Sequence, residues 1–221
     1  MLPALPFLLV GAGEVWLGAW LPPWAGWAPA WAGLATGWVG LAYLMRRPGW
    51  LAKDHPGRVL LWPFLLWARG AARIGARIGP APRVEVAPGL WVGGWPHAGA
   101  PGFAQLDLTA ELPRRGAAVR YACFPMLDGA PAGAAEFEAA VAQARAWRRE
   151  GLPVLVHCAY GHGRSVAVCI GVMVAEGLAP TWEDSHARVL AVRPLVRMTP
   201  GQRRMLARRT RPATRSDARL S

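Results

Sequence analysis

Between Met1 and Met45 the chain carries a single charged side chain, Glu14, and every Lys and Arg lies from Arg46 onward. The chain therefore divides into an apolar N-terminal third and a basic remainder. A formal charge of +12 is often the footprint of a nucleic-acid binder. Here positive charge follows directly on an apolar segment, an arrangement that sets membrane topology and attracts anionic head groups. No aromatic-basic interleave of the nucleic-acid type is present, so nucleic acid is not an expected partner.

Leu5 to Leu21 and Trp27 to Met45 are two apolar stretches near the ~20 residues that cross a bilayer. Leu21-Pro22-Pro23-Trp24 breaks the helix between them, so residues 1–47 are expected to form a transmembrane helical hairpin. Trp16, Trp20, Trp24, Trp27 and Trp31 cluster around the break, as rings do at head-group level. Gly33 and Gly37 frame a small-xxx-small pattern that lets two helices approach closely. Glu14 has no visible partner and is read as structural. Arg46, Arg47, Lys53 and Arg58 follow the second stretch, which by the positive-inside rule puts both termini in the cytoplasm. Val59 to Ala68 is too short to span. It runs into Arg69, Arg73 and Arg77 on one helical face, so residues 48–82 read as an interfacial basic helix and linker. A third, tilted span is the competing reading.

The remaining length, out of 221 residues, suits one further domain. A hydrophobic fraction of 53% with 17% charged argues against disorder. Cys123, Cys158 and Cys169 cannot build a disulfide scaffold. From Arg83 the texture changes. Arg83–Val86 and Leu90–Val92 flank Pro88-Gly89 as a hairpin. Leu106–Leu108, Val119–Phe124 and Leu152–Val156 read as strands, and residues 134–149, 164–177, 181–192 and 200–209 as helices. Strands alternating with helices predict an α/β layered domain over residues 83–209, with a central, mostly parallel sheet flanked by helices. Residues 210–221 read as a flexible tail.

Residues 154–165, Val-Leu-Val-His-Cys-Ala-Tyr-Gly-His-Gly-Arg-Ser, are the most specific stretch. A buried strand ends at Cys158, a short glycine-containing loop follows, and an apolar helix starts after Arg164-Ser165. This builds an anion cradle. Backbone N–H groups of Ala159, Tyr160, Gly161, His162 and Gly163 can converge, and the helix N-terminus adds its positive end. Gly161 and Gly163 allow the backbone angles of a tight loop. Arg164 can reach back as a planar donor for phosphate. Cys158 sits in the same positive field, which favours the thiolate, a nucleophile aimed at phosphorus.

His157-Cys158-x5-Arg164-Ser165 matches the HCxxxxxRS signature of the cysteine-dependent protein-tyrosine phosphatase superfamily, and its surroundings resemble the dual-specificity branch. Leu90–Gly93, Leu106–Thr109, and Arg193-Pro194 before Thr199-Pro200 are similar to that family's early strands and closing helices. The resemblance runs from about Arg83 to Leu206 and leaves the apolar third outside. It implies a two-step reaction. Cys158 attacks a phosphate monoester and forms a thiophosphate intermediate, which water then hydrolyses. Arg164 and the loop amides hold the equatorial oxygens, and Ser165 helps the sulfur leave. It also implies a general acid on a loop upstream of the cysteine. Asp128, in a turn-rich segment 30 positions before Cys158, is the candidate, and Asp107, inside a strand, is the runner-up. No cofactor or metal is called for.

His157 is expected to orient the loop through hydrogen bonds, and Cys169 to belong to the core. Cys123 is a strand residue with a remote reading as a redox partner of Cys158. The functional expectation is a membrane-anchored phosphate monoester hydrolase of the dual-specificity, tyrosine-phosphatase-like kind. Its partners would be membrane lipids and a phosphorylated protein. A phospholipid head-group phosphatase, for a phosphatidylglycerophosphate- or phosphoinositide-like substrate, is the rival. An inactive phosphate-binding membrane module is the non-enzyme alternative. The lack of a secretory signal fits a bacterial inner membrane with the catalytic domain in the cytoplasm.

Overall fold

The structure is a computed structural model that describes residues 4–78, 83–97 and 99–209. The expected tail, 210–221, and the side chain of Arg77 lie outside the described residues. Pro88-Gly89 turns β1 (Arg83–Ala87) antiparallel onto β2 (Leu90–Gly94), with Gly89 at φ +71 where side chains are disfavoured. The other strands, β3 (Ala104–Thr109), β4 (Arg120–Met126) and β5 (Val154–Cys158), complete a sheet of order β1-β2-β5-β3-β4. Every pairing except β1–β2 is parallel. This is the expected α/β architecture, a mostly parallel sheet flanked by helices.

Each crossover carries apolar residues back onto the sheet. Helix α4 (Ala134–Arg149) presents Phe137, Ala140, Ala144 and Trp147 at helical spacing. Helix α5 (Arg164–Ala175) is buried along nearly its whole length. Both join Leu106, Leu108, Val154 and Val156 in one core with α6 (Trp182–Val192) and α7 (Pro200–Arg209). Cys169 is fully buried in that core, as expected, and burial pushes its thiol well above the ordinary range.

The opposite face of the sheet is polar and equally buried. Gln105, Asp107, Thr109 and His157 are all at most 1% exposed. Asp107 accepts from the Thr109 amide at 2.8 Å, the Thr109 hydroxyl at 2.7 Å and the Tyr121 hydroxyl at 2.9 Å. It is also ion-paired with Lys53, whose Nζ donates to Tyr121 Oη at 2.8 Å. A lysine from the linker thus neutralises a buried carboxylate in β3. Burial alone would raise the Asp107 pKa, but His157 and Lys53 hold it below the usual carboxylate range. Asp107 is therefore structural, and not an alternative acid.

Helices α1 (Ala4–Trp20) and α2 (Pro23–Leu44) form an antiparallel hairpin. Its seam is glycine: a Cβ on Gly11 would lie 2.7 Å from the Gly37 nitrogen, and one on Gly18 2.6 Å from the Gly26 oxygen. The close approach read from Gly33 and Gly37 is present, but the membrane-crossing expectation needs correcting. Among the described residues no helix is long and apolar enough to cross a membrane. Helix α1 has 17 residues, about 25 Å of rise against a ~30 Å hydrocarbon core. Helix α2 is long enough, but its Gly, Ala, Pro29 and Trp content dilutes its apolarity.

Helix α3 (Trp62–Ile78), entered through a 3-10 segment Pro56–Leu61, also departs from expectation. It is not a third span, and one of its faces is packed against protein while Trp62, Leu66, Trp67 and Ile74 stay exposed. Leu65, Ala68 and Ala72 form its buried stripe, continued by Leu61 of the 3-10 segment, against α2 and the α/β domain. Burying each leucine contributes about 2 kcal/mol. Arg73 is exposed with its guanidinium over the Trp95 ring, 5.8 Å from the centroid. What stays uncovered is the outer face of the helical unit, where Trp20 and Trp24 are 74% and 80% exposed. An apolar face of that extent marks an interaction surface.

Candidate active site

Strand β5 delivers His157 and Cys158 to the carboxyl edge of the sheet, where ligands collect in open α/β folds. The alternation of the strand sends them to opposite faces. His157 shares the polar face with Asp107 and Cys123, its register neighbours. Cys158 points to the other face, into a pocket of about 150 Å³ lined also by Asp128, Tyr160, His162, Gly163, Arg197 and Gln202. Cys123 is therefore across the sheet and not placed to pair with Cys158. It lies 3.6 Å from Lys53 Nζ instead.

The loop from Ala159 to Gly163 is held by its carbonyls. The Trp95 amide donates to Ala159 O at 3.1 Å, Arg193 to Tyr160 O at 3.3 Å and to Gly161 O at 2.9 Å, and the Arg197 amide to His162 O at 3.1 Å. In a trans peptide the N–H lies opposite the C=O. Pinning these carbonyls outward turns the amides of residues 160–163 to the opposite side, an arrangement able to receive an anion. Gly161 sits at φ +72, and a Cβ there would lie 2.7 Å from the Gly93 carbonyl carbon. Gly163 does not use the left-handed region (φ −124) and serves as the N-cap of α5, a correction to the paired role expected of the two glycines.

Two groups touch the sulfur. The Gly161 amide donates to Cys158 Sγ at 3.2 Å, and Ser165 Oγ lies 3.3 Å away. Both sit where negative charge on sulfur would be stabilised. His157 is not a base here. Burial lowers its pKa, and its ring makes no well-formed hydrogen bond, Nδ1 standing 3.9 Å from Asp107 Oδ1. Burial, with Arg193 and Arg197 nearby, lowers the His162 pKa, and its ring stacks on Tyr160.

Arg164 is 2% exposed, and its guanidinium is more occupied than the sequence suggests. One terminal nitrogen donates to Met126 O at 2.8 Å and, with the other, grips Glu111 at 3.3 and 2.9 Å. The fork expected for phosphate is closed on a carboxylate. Nε is buried 3.2 Å from Asp128 Oδ1 but off the hydrogen-bonding direction. Asp128 is half-exposed on the loop that follows β4. Its backbone N–H donates to Tyr43 Oη of α2 at 3.0 Å. The structure thus brings Cys158, Arg164, Ser165, Asp128 and the loop amides together. Sequence reasoning missed Glu111, Arg193 and Tyr43. Arg193-Pro194 was visible as a family-like dipeptide, while Glu111 and Tyr43 carry no local signal.

No protein-family model and no curated relative matches the chain. Solved structures do. A single-residue variant of human DUSP28 is 26% identical with a TM-score of 0.54, covering 64% of this chain and 100% of its own. A mouse dual specificity phosphatase complexed with zinc tungstate is 26% identical at a TM-score of 0.52, covering 59% of this chain and 87% of its own. PTPMT1 in complex with PI(5)P shares the fold at 14% identity and a TM-score of 0.52, covering 64% and 100%. Fold and nucleophile loop together are those of a cysteine-based phosphatase of the dual-specificity and tyrosine-phosphatase kind.

Proposed function

We propose that the chain hydrolyses phosphate monoesters through a thiophosphate intermediate on Cys158. A phosphoryl group in the nest accepts the inward amides of residues 160–163 and the Arg164 Nε–H on its equatorial oxygens. Cys158 Sγ forms the S–P bond as the P–O bond to the leaving group breaks, and Asp128 protonates the departing oxygen. Water then attacks phosphorus. The S–P bond breaks with Ser165 stabilising the sulfur, and Asp128 takes the water's proton. The observation that carries this reading is the sulfur in contact with the Gly161 amide and Ser165 Oγ, in one pocket with Asp128.

A phosphoprotein of the dual-specificity type is the substrate this reading takes first. One observation favours a phospholipid monoester as the second reading. Beside the catalytic pocket, and sharing Asp128 and Tyr160 with it, lies an apolar recess of about 130 Å³ walled by Phe7, Phe64 and Trp67 of the N-terminal helices. The leaving group must adjoin Asp128, so an apolar leaving group has a place to go. The uncovered tryptophan face further supports attachment to a membrane, without any helix needing to cross it.

The test is turnover of p-nitrophenyl phosphate, phosphotyrosine peptides and an anionic phosphomonoester lipid in micelles. Wild type turns over and Cys158→Ser loses at least about 10⁴-fold in kcat while staying folded. A wild type inert toward every phosphomonoester would leave only a phosphate-binding module.

A further inference from the structure

Beside the loop that carries Asp128, lined by Leu127, Ala130 and Pro131 of that loop, runs a second groove of about 460 Å³ between the end of α2 and α7. Tyr43 and Met126 contribute to its floor. Arg46, Arg204 and Arg208 rim it, and Glu136 is the lone acid of its lining. All three arginines are exposed, and among the described residues none makes a side-chain hydrogen bond or ion pair. Arg209, also at the groove, is different: it is engaged by Glu138 and the Ala134 carbonyl.

The arrangement is unfavourable by itself. Arg204 and Arg208 are four apart on α7, where like charges repel. Arg46 is the only non-glycine residue at positive φ among the described residues, at +52. It occupies the position after α2 where the Arg47 amide closes back on Ala42 O, a site that ordinarily takes glycine. Neighbouring structure holds a strained arginine, and two without a partner among the described residues, around one concavity, and such strain collects at ligand sites.

We propose that this groove binds an anionic phosphodiester head group, distinct from the phosphomonoester held at Cys158. The planar forks suit phosphate oxygens, and the volume admits a glycerophosphate-sized group. Arg46 caps the apolar hairpin, so the groove lies at the polar end of the uncovered apolar face, where a bilayer presents phosphodiesters. The same chemistry could arrive as a free soluble phosphodiester. The site does not depend on turnover, so an inert Cys158 would leave it standing.

The experiment measures binding of the full chain to phosphatidylcholine vesicles with and without 30% phosphatidylglycerol, and to soluble glycerophosphoglycerol. Arg204→Gln/Arg208→Gln is compared with Arg120→Gln/Arg149→Gln, which removes equal charge elsewhere. Wild type prefers the phosphatidylglycerol vesicles, and the groove variant loses about 25-fold of that preference, roughly fivefold per arginine. The control variant keeps it. Hydrolysis of p-nitrophenyl phosphate without lipid is unchanged in both. Soluble glycerophosphoglycerol bound by wild type and lost in the groove variant would support the site with a free phosphodiester as its ligand. Equal losses in the two double variants would reduce the effect to net charge and overturn the proposal, as would no loss in the groove variant.

Discussion

The sulfur of Cys158 takes its character from its immediate neighbours. Asp128 and Arg164 make the clearest residue-scale predictions. Asp128→Asn keeps its size and its backbone contact with Tyr43 but cannot give up a proton. Its kcat should fall about 100-fold on alkyl phosphates and far less on p-nitrophenyl phosphate, with the alkaline limb of the pH–rate profile flattened. An unchanged profile would place the acid elsewhere. Glu111→Gln removes the carboxylate that grips the fork of Arg164, leaving a guanidinium in a residue 2% exposed with Asp128 as its remaining charge partner. A loss of about 3 kcal/mol in stability is expected by urea unfolding, together with weaker inhibition by vanadate. On the other sheet face, Lys53→Met strands Asp107 and should cost a similar amount at neutral pH. Because the Asp107 pKa is depressed in the folded state, the stabilisation is present above the unfolded carboxylate value of about 4 and lost as pH falls through the folded one. The two urea curves should therefore converge toward acid pH; a constant gap would mean the pair is not the cause.

At the scale of elements, the acid-bearing loop is braced from outside its own domain. Tyr43 accepts the Asp128 amide, and Leu127 and Ala130 pack into a cluster with Val39, Ala42, Leu51, Leu61 and Leu65. Helix α3 closes over the nucleophile loop the same way, with Ala68 and Ala72 against Ala159 and Trp95. In tyrosine-to-phenylalanine form the packing survives and the acceptor is lost. Tyr43→Phe should lower kcat several-fold, on the scale of one hydrogen bond, about 1 kcal/mol. The effect should be concentrated on poor leaving groups, whose reaction needs Asp128 placed. An equal loss on p-nitrophenyl phosphate would point to a general change in the pocket. The hairpin seam is a second element-scale case. Helix backbones meet at Gly18 and Gly26, so Gly26→Val should separate α1 from α2, exposing the protein to proteolysis there.

Taken whole, the molecule joins a phosphatase unit to a helical unit whose inner face is spent on the catalytic loops and whose outer face is bare. Removing residues 1–47 should therefore uncover Leu51, Leu61 and Leu127 and yield a less stable, aggregation-prone phosphatase, not an independent one. A truncated chain with wild-type melting temperature and kcat would show the helical unit to be a passenger.

What could be read along the chain was what neighbouring residues make for themselves. Residues 154–165 bend into strand, nest and helix because Gly161 and the apolar flanks act within one turn of each other. The same locality made the mostly parallel sheet and the loop carrying Asp128 legible. Tertiary structure decided the rest, because its contacts join residues remote in sequence. Tyr43 reaches Asp128 across 85 positions, Lys53 reaches Asp107 across 54, and Glu111 closes on Arg164 across 53. It also decided the fate of the apolar third. Hydrophobicity states that a surface must leave water, but only packing says which side meets protein and which is left uncovered.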